Sequence, residues 1–161
     1  GTVGLVCTHV WGLRSGVVRE DALAKADARG RSFQMINIAR DIATDARASS
    51  PRGYVPAELL ARHGVSREGL LAWRDARGCE AVVRELLARA DAYHARSAGL
   101  EAMIDPRFVP VLEAMTSVYQ GVLRELKARP ERSVVGPRAR VAGWRKAMIG
   151  VRAVLQQWGV R

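Results

Sequence analysis

The sequence contains two cysteines, Cys7 and Cys79, and neither sits in a C-x-x-C pair. That excludes a disulfide-dense scaffold and a thiolate zinc site, and it fits free thiols in a reducing cytoplasm. Histidine is equally scarce. His9, His63 and His94 are isolated in the chain, so no imidazole metal set with the usual ligand spacing is present. No apolar run reaches the ~18–20 residues that a membrane-spanning helix needs. The opening stretch, Gly1 to Leu13, is the most apolar, but it is short and lacks a basic start, which argues against a signal peptide. There is no strand-like alternation, no internal repeat, no low-complexity tract and no glycine-rich phosphate loop. No nucleophile triad or Cys–His pair can be assembled from motif spacing either.

What remains is a chain of 161 residues, 48% apolar and 26% charged, long enough for one domain with a sizeable core. Lys and Arg number 26 against 16 Asp and Glu, a net charge of +10. Three partners suit that excess: nucleic acid, an anionic membrane surface, or a diphosphate substrate. The arginines are scattered and no nucleic-acid recognition motif accompanies them. A general bias toward arginine explains most of the surplus.

The punctuation predicts an all-α helix bundle. Gly1 to Arg14 reads as a buried helix end through Val3, Leu5, Val6, Val10, Trp11 and Leu13, broken by Ser15-Gly16. A second helix begins around Arg19 to Asp21, with acids in its first turn, and ends near Ala46 to Ala48. A loop follows at Ser49 to Gly53. Pro56 to Gly64 makes a short helix, Ser66 caps another, and Glu80 to Ala98 is a long one. Asp105-Pro106 caps the next, which Arg129-Pro130 ends. The last helix starts at Pro137-Arg138, and Val141, Trp144, Met148, Val151, Leu155 and Trp158 form a seam expected to pack inward.

The chemistry concentrates in Gln34-Met35-Ile36-Asn37-Ile38-Ala39-Arg40-Asp41-Ile42-Ala43-Thr44-Asp45. Asn37, Asp41 and Asp45 are spaced four apart, and four residues turn a helix by about 400°, so they stack in one row. Gln34, three before Asn37, joins that row. The rest of the helix is largely apolar. Carboxylates in such a setting need a partner, and hard oxygen donors suit Mg²⁺ completed by water and substrate phosphate oxygens.

This run, with the following Asp45-Ala46 and Arg52-Gly53-Tyr54-Val55-Pro56-Ala57-Glu58-Leu59-Leu60, resembles the second aspartate-rich motif of the squalene/phytoene synthases. The bacterial phytoene synthases, with F-Q-M-T-N-I-A-R-D and R-x-Y-L-P, are the most similar. The likeness extends from Gly1-Thr2-Val3-Gly4, where small residues permit close helix packing, to about Leu155. It implies an all-helical isoprenoid synthase fold and head-to-head joining of two prenyl diphosphates through a cyclopropyl intermediate. The implied reaction is geranylgeranyl diphosphate to phytoene in carotenoid synthesis, with squalene or hydroxysqualene formation from farnesyl diphosphate as the alternative. By the same likeness Asn37, Asp41 and Asp45 ligate Mg²⁺, with Mn²⁺ as a substitute. Gln34 and Arg40 lie near the substrate. Arg52 and Tyr54 help close the site, Tyr119 lies near the reacting carbons, and Arg138 steadies pyrophosphate. The implied partner is a prenyl diphosphate, not nucleic acid. The implied location is cytoplasmic with peripheral membrane contact, and no obligate protein partner is expected.

Residues 1–161 correspond to the C-terminal part of one such domain, and a chain that opens on Gly within a helical pattern is expected to be a fragment. No first aspartate-rich motif is present in it, so a non-catalytic helical fragment is the remaining alternative. Thr44 stands where an acid is usual, Pro51 where Gly is usual, Ile36 where Thr is usual, and Gln120 where Arg is usual. Arg29 and Arg31 replace apolar residues, which predicts a more exposed turn. Phe33, Ile38 and Tyr119 are expected to be partly wet.

Overall fold

A computed structural model describes residues 1–47 and 53–139, together with positions 143 and 148. Six α-helices account for most of it: α1 (Thr2–Trp11), α2 (Arg19–Ala46), α3 (Ala57–Arg62), α4 (Arg67–Leu71), α5 (Ala76–Arg96) and α6 (Val109–Ala128). Short 3-10 turns follow at Leu100–Ala102, Pro106–Phe108 and Pro130–Ser133. Among the described residues the one extended pairing is a bridge between Leu13 and Ile104. The all-α expectation therefore holds, and most helix ends lie where the local chemistry puts them, but Pro137 and Arg138, expected to open the last helix, are not helical. Ser66 caps α4 by accepting a bond from the Gly69 N–H at 2.9 Å. Asp105 accepts from the Arg107 N–H at 2.9 Å ahead of Pro106. Helix α5 begins four residues earlier than expected, at Ala76, because the Asp75 carboxylate accepts from the Arg77 N–H at 3.2 Å and supplies the start.

The chain forms two compact units. Gly1–Gln34 and Ala90–Gly121 belong to the first. Here α1 lies directly on the first half of α2. A Cβ at Gly4 would come 2.3 Å from the Ala26 carbonyl oxygen, and one at Gly30 would come 3.1 Å from the Gly1 oxygen. Only two bare Cα atoms allow backbones that close. This contact decides which side of α1 is covered. Gly4 and the buried Thr8 face α2, while Val3, Val6 and Val10 are 71%, 55% and 74% exposed. The buried-helix expectation for those valines is therefore wrong: the glycine face, not the greasier one, makes the crossing. Ala26, Leu100, Ile104 and Leu112 make a core with Trp11, Leu13, Phe108 and Val109 around it, and Trp11 stacks on Phe108.

Gly4→Ala tests this crossing. In an isolated helix the change gains up to about 1 kcal/mol. Here the new methyl meets backbone, so the helices must part, and the expected result is a loss of roughly 1–3 kcal/mol, the usual cost of overpacking. Thermal unfolding of the two chains measures the sign directly.

Arg29 reverses another expectation. It is 4% exposed, not on an open turn. Its Nε donates to Ser97 Oγ at 2.7 Å, and its Nη1 donates to Glu101 Oε1 and Thr116 Oγ1, both at 2.7 Å. Burial pushes the Glu101 carboxyl up, but Arg29 reverses that and holds it below the usual carboxylate range. Arg31 is exposed as expected, pairing with Asp27 one turn before it.

The second unit comprises Met35–Arg89 and Val122–Arg140. Its interior is built from Ile36, Ala39 and Ile42 of α2, Leu59 and Leu60 of α3, Val82, Val83, Leu86 and Leu87 of α5, and Leu123 and Leu126 of α6, all buried. Ile38 here and Phe33 of the first unit, both expected to be partly wet, are 8% and 9% exposed, whereas Tyr119 of the first unit is half-buried as expected. Of the C-terminal seam, Met148 is 62% exposed, against the inward packing expected of it. Val141, Trp144, Val151, Leu155 and Trp158 lie outside the described residues. Among the described residues no helix is long and apolar enough to cross a membrane.

Candidate functional site

Helix α2 runs unbroken from Arg19 to Ala46, so the one-row spacing of Asn37, Asp41 and Asp45 is realised on regular helix. Ile38, Ala39 and Ile42 beside the row are buried. They anchor this length of helix and leave the row half-buried rather than afloat in water. The Asp41 side chain is 13% exposed.

Two guanidiniums close on Asp41. Arg40 donates from Nε to Oδ1 at 2.9 Å and from Nη2 to Oδ2 at 2.6 Å. Arg138 donates from Nε to Oδ1 at 2.6 Å and from Nη2 to Oδ2 at 2.7 Å. Arg40 is the next residue on the same helix. Arg138 comes from 97 positions away, on the segment that follows α6. The chain there turns through the 3-10 turn Pro130–Ser133 and through Gly136, whose φ of +80° is costly for any side-chain-bearing residue. Val134 and Ala139 are buried on either side and pin Arg138 over the row. Burial alone would raise the Asp41 carboxyl, but its bonds to Arg40 and Arg138 outweigh burial and hold it below the ordinary carboxylate value. The carboxylate is therefore fully ionised at neutral pH. Arg138 is held more firmly protonated, first by its bonds to Asp41 and, against its own partial burial, by the charges of Asp41 and Asp45.

Asp45 opens onto a cleft lined by Ile38, Ile42, Tyr54, Val55, Leu60 and Arg67, among others. Tyr54 is 43% exposed. The Arg67 guanidinium fills the space beside Gly53, where any Cβ would overlap it. Arg67 carried no signal in the sequence beyond being another scattered arginine. Arg52 lies outside the described residues. Within the first unit, Gln34 is exposed, and Tyr119 stacks on Phe33 with ring centroids 4.0 Å apart and planes 7° from parallel.

The structure thus brings Arg40, Asp41 and Arg138 into contact and gives Asp45 and Tyr54 a common cleft. As a place for a metal, the donor set fits a hard divalent ion. Among the described residues no three His, Cys, Asp or Glu side chains gather, but Mg²⁺ asks for only one or two carboxylates when water and phosphate complete its shell. Two guanidiniums already cover the Asp41 oxygens, so a metal there would have to displace one of them.

The chain matches the family model described as squalene/phytoene synthase over residues 1–145. It is 38% identical over 104 residues to a 15-cis-phytoene synthase of Enterobacter agglomerans, covering 64% of this chain and 33% of that one. It is 33% identical over 156 residues to a phytoene synthase of Thermus thermophilus, covering 96% of this chain and 50% of the other. A 15-cis-phytoene synthase of a Paracoccus species is 31% identical over 152 residues, 94% of this chain and 46% of its own. The chain spans half or less of the length of these curated relatives. A match that takes in α1 to α6 and the whole Asn37–Asp45 row places it: the chain belongs to the squalene/phytoene synthase family.

Proposed function

We propose that this chain supplies the metal- and diphosphate-binding part of a head-to-head prenyltransferase that converts geranylgeranyl diphosphate to phytoene in carotenoid biosynthesis. The observation that carries the reading is the Asp41 carboxylate: largely enclosed, one turn from Asp45, and gathering two guanidiniums. Asn37, Asp41 and Asp45 would hold Mg²⁺ or Mn²⁺, which when bound neutralises the departing diphosphate. Arg40 and Arg138 sit at the same point and add positive charge for the diphosphate. Tyr54 stands at the mouth of the Asp45 cleft, with Arg52 two residues before it and Gln34 one turn ahead of the row. Tyr119 and Phe33 offer a stacked aromatic face of the kind that shelters a carbocation from water. This reading puts the reaction in the cytoplasm, in peripheral contact with membrane that takes up greasy products.

Condensation requires two diphosphates held together, and this chain carries one aspartate row with Thr44 in place of an acid. We read residues 1–161 as the C-terminal part of a single synthase domain. The expected result is that the purified chain, given Mg²⁺ and geranylgeranyl diphosphate, forms no C40 hydrocarbon, whereas co-expression with the unmatched half of the Thermus thermophilus relative restores product. Hydrocarbon from the chain by itself would show that the metals bind elsewhere. A well-folded complex that stays inactive would favour a non-catalytic helical module.

A further inference from the structure

A carboxylate has room for about four hydrogen bonds, two at each oxygen. Asp41 already receives four: two from Arg40 and two from Arg138. Any cation that coordinates Asp41 must displace one of these guanidiniums. They are not equally free to leave. Arg40 is the neighbouring residue on the same helix and 21% exposed, so its position is set by α2 itself. Arg138 is 41% exposed and sits on a non-helical segment. Its fork covers both oxygens of Asp41, so it occupies the atoms that a divalent ion on this carboxylate would need.

We infer that Arg138 is a latch: it occupies Asp41 until a metal–diphosphate arrives, and then exchanges the carboxylate for the diphosphate. This rests on the reading of Asp41 as a metal ligand. The exchange conserves charge pairing at each step. Asp41 and Asp45 would then hold the ion, and the released guanidinium would find an equivalent two-pronged partner in the diphosphate oxygens. Metal alone offers Arg138 no such partner, so metal alone must break the pair uncompensated. Metal binding is thereby made conditional on the phosphate-bearing ligand. A free divalent ion leaves the row closed, and the acidic row is opened only by the pair of ligands that the chemistry needs together.

The test is Mn²⁺ binding to the full 161-residue chain, followed by the loss of the free-ion electron paramagnetic resonance signal, with and without inorganic pyrophosphate. Wild type, Arg138→Gln, Arg138→Lys and Asp41→Asn are compared, with buffer titrations correcting for Mn²⁺ bound by pyrophosphate in solution. In the wild type, pyrophosphate should tighten Mn²⁺ by roughly 5- to 150-fold, the range of an ordinary coupling between two ligands. In Arg138→Gln, Mn²⁺ alone should bind tighter by a similar factor, and most of the pyrophosphate effect should vanish. Arg138→Lys keeps the charge but not the fork that covers both oxygens, so it should fall between the two. If Arg138→Lys matches the wild type while only Arg138→Gln gains, general charge explains the effect and the latch is wrong. If Asp41→Asn loses Mn²⁺ but neither Arg138 variant gains it, the metal assignment stands and the latch falls. If Asp41→Asn binds as the wild type does, the metal assignment itself fails.

Discussion

Replacing Asp41 by Asn should cut condensation in the complemented enzyme by roughly 10²–10³-fold, the scale on which loss of one preorganised electrostatic contact acts, while leaving the chain folded. The substitution keeps the shape and removes the charge. The carboxylate is 13% exposed, so solvent screens it weakly, and its charge is what the two guanidiniums share and what the proposed cation would need. Folding should survive because Arg138 is 41% exposed and can turn to water, and because α2 is anchored by Ile36, Ala39 and Ile42 on its other sides. A carboxamide also retains an oxygen that can accept from Arg40. Asp45→Asn should act in the same direction. Product formation by liquid chromatography, alongside circular dichroism of each variant, separates the two effects. Near-normal turnover with Asn at both positions would remove the row from the chemistry.

The largest effect on stability is expected at Arg29, about three turns before Asp41 on the same helix. Arg29→Met should cost about 3 kcal/mol, the low end of what breaking a buried pair costs, because Glu101 keeps a side-chain exposure of 30%. Met fills much of the volume, so the loss is not a cavity. It is the loss of one cation that serves Ser97, Glu101 and Thr116 together. Three groups placed to accept from a guanidinium are left without that donor, and burial then bears on Glu101 with its largest offset gone. For a chain of this length the midpoint of thermal unfolding should fall by roughly 6–12 °C. Arg29→Lys should recover little, since one ammonium cannot span the three acceptors. An unchanged midpoint in Arg29→Met would mean that the cluster merely satisfies its own burial and adds nothing.

Arg29 also shows where sequence reading needed one more step. Ala22, Ala26, Phe33 and Ile36 are all buried on α2, and position 29 falls between 26 and 33 in the same 4-3-4-3 spacing. Its place on the buried stripe was written in the chain. The residue type hid it, because an arginine suggests water unless its partners are known, and those partners lie 68 to 87 positions away.

What the sequence determined by itself is what short-range physics controls. The ends of α2, α4 and α6 follow from caps, prolines and acids within a few residues of each end. The Asn37–Asp41–Asp45 row follows from helical pitch alone. The close crossing at Gly4 was legible because only a missing Cβ admits a neighbouring backbone. Tertiary structure decided the rest. It chose the glycine face of α1 over its valines, because backbone approach fixes an orientation that hydrophobicity by itself does not. It left Met148 exposed on a helix whose spacing pointed inward. And it carried Arg138 across 97 residues onto Asp41, a pairing that no local propensity encodes. The path of the chain through α6 and its turn at Gly136 sets that distance, and a charge pair forms only where the path delivers it.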